Sequence, residues 1–318
     1  MTSSTATTAK FPDLRKFQDP AVTANGERRA SVTLRQLDTL WFCTGTLCNL
    51  ACKNCYIESS PSNDSLVYIS AAEVAEYLDE IERDRLGTQT IGFTGGEPFM
   101  NPDMIPILED SLTRGFRTLV LTNAMKPMMK RSEQLLDLQR RFGDQLTVRV
   151  SIDHYSQSLH EAERGPKSWA PAVRGLHWLT SNGFDIDIAG RLFTDETEQQ
   201  MRDGYADLFR REGIELDAHD RTRLALFPEM DVNAEVPEIT ESCWSKLGVS
   251  PDDQMCASSR MVVKRKGEDR PVVMPCTLLP YDPQFEMGHT LAESFQSVSL
   301  NHPHCATFCV LGGASCGG

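Results

Sequence analysis

Between residues 37 and 228, short apolar and β-branched runs alternate with longer amphipathic runs. The short runs predict strands, and the longer runs predict helices because their apolar positions recur at helical spacing. A repeated strand-then-helix order predicts a parallel sheet with right-handed crossovers. The strands are predicted at 39–43, 90–94, 118–122, 147–152, 185–189 and 224–227, and the helices at 71–83, 102–114, 132–142, 171–181 and 196–211.

The ends of several predicted helices carry the residues that helix ends prefer. Ser70 precedes the first helix and Glu73 follows three residues later, which predicts a capping box. A glycine stands just past four of the helices, where a left-handed C-cap favours glycine. These glycines are Gly115, Gly143, Gly183 and Gly213.

The number of repeats limits the architecture. At roughly 30 residues per strand–helix unit, this region holds about six units, whereas a closed eight-unit barrel needs about 250 residues. We therefore expect an α/β fold, a partial (β/α)6 barrel over residues 37–228. Residues 1–36 form an N-terminal extension, and residues 229–318 form a small Cys-rich C-terminal region with one hairpin at 260–275.

Charge and hydropathy exclude several classes of protein. The 318 residues carry 32 Lys and Arg against 45 Asp and Glu, a net charge of −13, which disfavours a nucleic-acid surface. The basic run 264–266 is followed by Glu268 and Asp269 and is best interpreted as a solvated turn. No apolar run approaches the roughly 20 residues of a membrane-spanning helix, and no secretory signal is present. We expect a cytoplasmic protein without a membrane partner.

The ten cysteines fall into two groups. Four lie within residues 43–55, six lie between residues 243 and 316, and none lies between the groups. In a reducing compartment, clustered cysteines indicate metal or redox chemistry rather than disulfides.

The first group contains Cys48, Cys52 and Cys55 in the loop after the first strand, a C-x3-C-x2-C spacing. Three thiolates can hold three irons of a cubane cluster, whereas electron-transfer clusters usually take four cysteines. The fourth iron would keep an open position, which an amine and a carboxylate could chelate. Cys43 leaves an alternative open, a closed four-thiolate zinc or electron-transfer site, although a buried strand residue explains it better.

This spacing resembles that of the radical S-adenosylmethionine (radical SAM) superfamily. A second motif of that family, Gly95-Gly96-Glu97-Pro98, follows the second strand. The resemblance spans residues 37–228. It implies that Cys48, Cys52 and Cys55 are catalytic ligands of a [4Fe–4S] cluster and that the GGEP turn holds the amine of S-adenosylmethionine.

The resemblance also implies cofactor contacts at the ends of the later strands. Asp153 is the stronger functional candidate of its loop, and His154 is a weaker one as a proton acceptor or substrate contact. The usual aromatic residue before the third cysteine is replaced here by Asn54, and Tyr56 follows that cysteine instead. The expected cofactor contacts, besides the GGEP turn, are Thr122, Asn123, Ser151 and Arg191.

The second cysteine group resembles the Twitch or SPASM-like auxiliary-cluster region of some radical SAM enzymes. The hairpin would bring its two flanking cysteines together, and a C-x3-C pair returns later. A structural zinc is the alternative for this group, and Cys243 is either a core residue or a thiol acid near the substrate. The candidate ligands of one auxiliary [4Fe–4S] cluster are Cys256, Cys276, Cys305 and Cys309, with Cys316 able to replace one of them.

The resemblance implies reductive cleavage of S-adenosylmethionine to a 5′-deoxyadenosyl radical, which abstracts hydrogen from a substrate. A second cluster that accepts an electron would make the reaction an oxidation or an oxidative cross-link. The first 36 residues are too few and too polar for a leader-peptide domain, which favours a small polar substrate over a peptide. A peptide-modifying maturase is one alternative, and a non-catalytic iron–sulfur or zinc module is another. An electron donor such as flavodoxin or ferredoxin is expected as a partner.

Overall fold

The computed structural model describes residues 15–230 and 235–313, and within them the predicted strand–helix repeat is present. The six predicted strands are all found, with ends shifted by at most three residues. The strands are β1 (Ser31–Val32), β2 (Thr39–Cys43), β3 (Thr90–Thr94), β4 (Arg117–Thr122), β5 (Leu146–Ser151), β6 (Asp185–Leu192), β7 (Leu224–Pro228), β8 (Ser259–Val263), β9 (Val272–Met274) and β10 (Val298–Ser299).

Hydrogen bonding arranges the main sheet in the order β7-β6-β5-β4-β3-β2-β8-β9. Strands β2 to β7 are parallel throughout, so they form the partial barrel that the sequence predicts. The predicted hairpin is present as β8 and β9, and β8 continues the sheet parallel to β2. The Cys-rich region is therefore joined to the barrel through the same sheet.

Helices cover the outer face of the barrel. The capping box predicted at Ser70 and Glu73 is present at the first helix, and the four glycines predicted at helix ends all have positive φ. The short helices α3, α5 and α8 are not predicted by the sequence pattern. The helices are α1 (Ala71–Asp84), α2 (Met104–Thr113), α3 (Lys126–Met129), α4 (Ser132–Phe142), α5 (Gln157–Arg164), α6 (Trp169–Ser181), α7 (Glu198–Glu212) and α8 (Cys243–Leu247).

Two apolar clusters stabilise the fold. One lies between the sheet and the helices and includes Phe93 and Leu108. The other fills the barrel interior around Trp41 and continues into the C-terminal region, where it includes Phe308. Because the interior cluster is shared, the C-terminal region packs on the barrel without an independent core of its own.

The basic run holds the hairpin against the barrel. Lys264 pairs with Glu73 of α1, Arg265 with Glu286 and Lys266 with Asp64. The run is therefore engaged in ion pairs, and only Lys266 is largely exposed, with 62% of its side chain accessible. Within the described residues, no helix is both long enough and apolar enough to cross a membrane.

Candidate functional site

Three cysteines of the loop after β2 open onto one cleft, which we call the thiol cleft. Cys48, Cys52 and Cys55 all line it, and it contains about 1050 Å³ of empty space, open solvent included. The backbone amide of Leu50 donates to Cys48 Sγ at 3.4 Å, and the amide of Ser59 donates to Cys55 Sγ at 3.3 Å. Hydrogen bonds to cysteine sulfur are one of the means by which proteins tune iron–sulfur clusters.

Burial disfavours the thiolate form of two of these cysteines, Cys48 and Cys52. It raises the pKa of Cys48 to about 12 and also raises the pKa of Cys52. Metals bind the thiolate form, so loading the loop releases protons.

Cys43 does not line this cleft. It ends β2 with 1% of its surface accessible and belongs to the barrel-interior cluster. Burial raises its pKa to about 11, and it is not among the residues that line the thiol cleft. The structure therefore places Cys43 as a buried strand residue.

The two glycines after β3 pack directly on the cysteine loop. Gly96 N–H donates to Gly45 O at 2.7 Å, and a Cβ added at Gly96 would lie 2.2 Å from Leu47 O. Gly95 has a φ of +150°, and its added Cβ would lie 2.6 Å from Gly45 O. Only glycine permits this approach, and both glycines line the cleft. The two predicted motifs are thus neighbours in space.

Glu97 and Pro98, the two residues after Gly96, are buried. The Glu97 carboxylate accepts hydrogen bonds from Thr122 Oγ1 at 2.8 Å and from Asn123 N at 2.9 Å. Burial raises the pKa of Glu97 to about 7, although these hydrogen bonds oppose the shift. Thr122 and Asn123 line the cleft, whereas Glu97 and Pro98 do not. The geometry makes Glu97 a support for the end of β4.

Asp153 and Ser151 line the cleft at the end of β5. Asp153 is already engaged, because Arg164 Nε and Nη2 donate to its two carboxylate oxygens at 2.8 and 2.9 Å. Burial opposes the charge of Arg164, but Asp153 and the nearby Cys52 outweigh it and raise the pKa of Arg164. Arg164, which the sequence analysis missed, therefore brings a fixed positive charge to the cleft.

Arg191 also lines the cleft, but its guanidinium has partners within the chain. Nη1 donates to Asn54 O at 2.6 Å, and Nη2 donates to Glu229 at 2.7 Å. Its carbon Cζ lies 4.9 Å from the centre of the Tyr56 ring. Its Nε has no hydrogen-bond partner within the described residues. The fork expected to receive a carboxylate is thus largely occupied, and only Nε could serve that purpose.

Helix α5 is hydrogen-bonded to the second half of the cysteine loop. Lys53 N–H donates to Glu163 O at 2.8 Å, and Asn54 Nδ2 donates to Glu163 Oε2 at 3.0 Å. Asn54, which replaces the usual aromatic residue, therefore fixes the loop through hydrogen bonds and also lines the cleft.

His154 does not reach the cleft. Its Nε2 is 2.9 Å from Glu196 Oε2, and its Nδ1 accepts from Ser156 N at 2.9 Å. The ring is 1% accessible and is absent from the cleft lining. Its expected role as a proton acceptor or substrate contact does not agree with this position, because both ring nitrogens are engaged elsewhere.

Four cysteines of the second group meet at one cavity, which we call the second thiol cavity. Cys256, Cys276, Cys305 and Cys309 all line its roughly 370 Å³ of empty space, open solvent included. Cys305 and Cys309 stand on a π-helical turn, Cys305–Val310, a conformation often found at functional sites. The sequence prediction brought together the same four residues.

The two cavities are neighbours. Leu278 lines both of them, and it follows Cys276 by two residues. Phe308 packs on Tyr56 and Phe227, with ring centres 6.1 and 5.6 Å away, and both of those rings line the thiol cleft. The π-helical turn that carries Cys305 and Cys309 therefore packs against one wall of the cleft.

The remaining cysteines lie outside both cavities or outside the described residues. Cys243 begins α8, and its Sγ accepts from Thr240 N at 3.4 Å; it lines neither cavity. Cys316 falls outside the described residues. Within residues 15–230 and 235–313, no three His, Cys, Asp or Glu side chains are arranged to hold a single metal ion.

The residues of the thiol cleft fit an iron–sulfur cluster with a chelating ligand. Three thiols share the cleft with hydroxyl, amide and guanidinium groups, which bind ribose hydroxyls and carboxylates. The second cavity offers four thiols, the ordinary ligand number for such a cluster.

Comparison with known proteins agrees with this geometry. The radical SAM superfamily model matches residues 43–206, just over half of the chain. The bacteriocin subtilosin biosynthesis protein AlbA of Bacillus subtilis is 26% identical over 275 residues, which cover 80% of this chain and 58% of AlbA. The mycofactocin maturase MftC of Mycobacterium ulcerans is 28% identical over 169 residues, 53% of this chain and 43% of MftC. The chain spans about half the length of these relatives.

Solved structures share the fold. The structure of Streptococcus suis SuiB bound to S-adenosylmethionine aligns with a TM-score of 0.58 at 14% identity, covering 80% of this chain and 63% of SuiB. With the family model matched over the barrel and its cysteine loop, this chain belongs to the radical SAM superfamily, whose cofactors are a [4Fe–4S] cluster and S-adenosylmethionine.

Proposed function

We propose that this chain is a radical SAM enzyme that oxidises or cross-links a peptide or protein substrate in the thiol cleft. The observation that supports it best is the meeting of Cys48, Cys52 and Cys55 with Gly95 and Gly96 at one cleft. A closed zinc or electron-transfer site has no need of a glycine turn beside its ligands, so the arrangement favours catalysis.

Cys48, Cys52 and Cys55 would hold the cluster, and the bound cofactors supply the electron and the reactive carbon centre for hydrogen abstraction. The chain's own residues would bind and orient the cofactor and the substrate. Thr122, Asn123 and Ser151 present hydroxyl and amide groups to the cleft, as ribose recognition requires.

Arg164 could receive the carboxylate of S-adenosylmethionine through Nη1, since Nε and Nη2 are engaged with Asp153. It lines the cleft and stays charged because Asp153 pairs with it. Asp153 acts through Arg164 in this proposal, and so it is a positioning residue instead of an acid or base. Arg191 would contribute only through Nε, since its other donors are engaged.

The second thiol cavity would hold one auxiliary cluster on Cys256, Cys276, Cys305 and Cys309. Such a cluster could accept one electron from the substrate after hydrogen abstraction, and an external flavodoxin- or ferredoxin-type donor would supply the electron for each cofactor cleavage. The substrate then loses one hydrogen atom, one proton and one electron in total per new bond, which is a net two-electron oxidation.

A peptide substrate is favoured over the small polar molecule that the sequence analysis preferred. AlbA and MftC are named for bacteriocin biosynthesis and for maturation, which supports the peptide-modifying alternative. The shortness of residues 1–36 is not evidence against a peptide substrate, because the way a substrate is delivered does not follow from where this sequence begins.

The experiment is anaerobic turnover of the reconstituted protein with S-adenosylmethionine, a low-potential reductant and candidate precursor peptides. The proposal predicts 5′-deoxyadenosine in a one-to-one ratio with a peptide that has lost two hydrogens. Recovery of intact S-adenosylmethionine after turnover would contradict net oxidation. A protein that binds iron but never forms 5′-deoxyadenosine would instead be a non-catalytic iron–sulfur module.

A further inference from the structure

Trp41 occupies the middle of the barrel interior. It is the third residue of β2, 1% of its surface is accessible, and it belongs to the interior apolar cluster. Its indole lies across β3 at Gly92, where an added Cβ would be 2.4 Å from Trp41 Cε3. A side chain at position 92 would therefore displace the ring, so the two residues fit as a pair.

A second cavity lies on the other side of this indole, towards the amino ends of the strands. We call it the lower cavity; it contains about 1200 Å³ of empty space, open solvent included. Most of the residues that line it are of polar or charged type, and they include Arg149 and Asp187, which pair at 3.2 Å, together with Thr39 and Thr147. Barrel interiors are normally filled with layers of branched apolar side chains, so this many polar residues along the inside of the sheet is unusual.

Trp41 is the one residue that lines both the thiol cleft and the lower cavity within the described parts of the chain. On the cleft side, its neighbours in the lining include the apolar Leu121 and Ala189. The indole thus stands between the thiol cleft and a cavity lined mainly by residues of polar or charged type.

We propose that Trp41, held in place by Gly92, is the floor of the thiol cleft and keeps the cofactor site closed to the lower cavity. This inference rests on the proposed function and adds a positioning residue to it. Solvent exposure is one of the factors that set the potential of an iron–sulfur cluster, and low dielectric strengthens the polar contacts that hold a charged ligand. An open floor would increase the solvent exposure of the cluster and weaken the polar contacts that hold the ligand.

The indole nitrogen makes the floor testable by a conservative change. Trp41 Nε1 has no hydrogen-bond partner within the described residues, and phenylalanine keeps an aromatic ring without this buried donor. Trp41→Phe should therefore preserve the floor, whereas Trp41→Ala should join the two cavities. Gly92→Ala should displace the indole without removing it.

The test uses reconstituted holoenzyme and follows the electron paramagnetic resonance signal of the reduced cluster as S-adenosylmethionine is added. For Trp41→Ala and Gly92→Ala we expect about tenfold weaker binding, a loss of about 1.4 kcal/mol. We also expect a more positive midpoint potential of that cluster. Trp41→Phe should match the wild type in both. Trp178→Ala is the control, since Trp178 packs on Phe184 at the outer helix layer, with ring centres 5.3 Å apart.

The outcomes distinguish a failure of this inference from a failure of the proposed function. Wild-type affinity and potential in folded Trp41→Ala or Gly92→Ala protein overturn the inference. If Trp41→Ala does not fold, Gly92→Ala decides the question. If the signal of the wild-type protein does not change when S-adenosylmethionine is added, the proposed function is wrong, and not only the inference about Trp41.

Discussion

Arg164 brings a guanidinium group to the thiol cleft, where a single carboxylate holds it in place. Two parallel hydrogen bonds join it to Asp153, the fork geometry that lysine cannot reproduce. The sequence could group Cys48, Cys52 and Cys55 as candidate ligands, because their spacing is local to one loop. Arg164 and Trp41 were missed because their contacts with the cleft depend on which strands and helices lie side by side.

Replacing Arg164 with lysine tests the role of the fork. Arg164→Lys keeps the charge but loses the bidentate pair, and we expect binding of S-adenosylmethionine to weaken about tenfold, or about 1.4 kcal/mol. Titration of the reduced protein with the cofactor measures this. Arg174→Lys, at an exposed position on α6, should have no effect. Equal affinities for the wild type and Arg164→Lys would contradict the assignment.

Cys52 and Cys43 provide a matched pair of cysteines. Cys52→Ala should reduce the iron content from about eight to about four per chain and abolish 5′-deoxyadenosine formation, because one cluster loses a ligand. Cys43→Ala should retain both, since Cys43 lies in the barrel interior. Iron analysis and product quantification check this. Loss of the first cluster in Cys43→Ala would support the closed four-thiolate site.

Helix α5 shows why one element could not be predicted. Its buried residues are His160 and Glu163, so the helix has no apolar stripe to recognise. Burial lowers the pKa of His160 to about 4, so the ring is neutral and packs edge-on against Trp169 at 5.3 Å. In contrast, α1 has an apolar face and a capping box, and its start was predicted correctly at Ala71.

The segment after Cys276 lies between the thiol cleft and the second thiol cavity. Cys276→Ala should remove the auxiliary cluster, leave about four irons, and weaken cofactor binding severalfold, because Leu278 lines both cavities. Cys243→Ala serves as the control and should keep about eight irons. Full iron content in Cys276→Ala would show that Cys276 is not a ligand.

At the scale of the whole molecule, the N-terminal segment is joined to the C-terminal region, and the C-terminal region is joined to the barrel. Strand β1 pairs with β10, and β8 pairs with β2. The hairpin itself was predictable from its alternating residues, but its pairing with β2 was not, because residues more than two hundred positions apart meet there. Shared packing of this kind leaves no trace in local sequence.

Glu238 is central to the N-terminal connection and gives it a pH dependence. Burial alone would raise its pKa, but amide hydrogen bonds from Phe17 and Ala24 and the Arg29 guanidinium lower it overall. A lowered carboxyl pKa stabilises the fold above the unfolded value of about 4.3, and this contribution is lost as the pH falls through the folded pKa.

Glu238→Gln should therefore cost about 1–3 kcal/mol of stability at pH 7, and the difference from the wild type should shrink below about pH 4. Thermal unfolding midpoints at several pH values measure this. Glu241→Gln removes an exposed pair with Arg28 and should change little. A difference that persists unchanged at low pH would contradict the ionic role of Glu238.

The central claim is that one iron of the first cluster has no ligand from the protein and binds S-adenosylmethionine directly. Electron–nuclear double resonance on the reduced Cys276→Ala protein, with cofactor labelled by ¹⁵N at the amine and ¹⁷O at the carboxylate, tests it most directly. We predict hyperfine coupling from both labels to the cluster spin, and the same coupling in the Cys43→Ala background. Absence of coupling from both labels, with the cluster intact and the cofactor present, would contradict the claim.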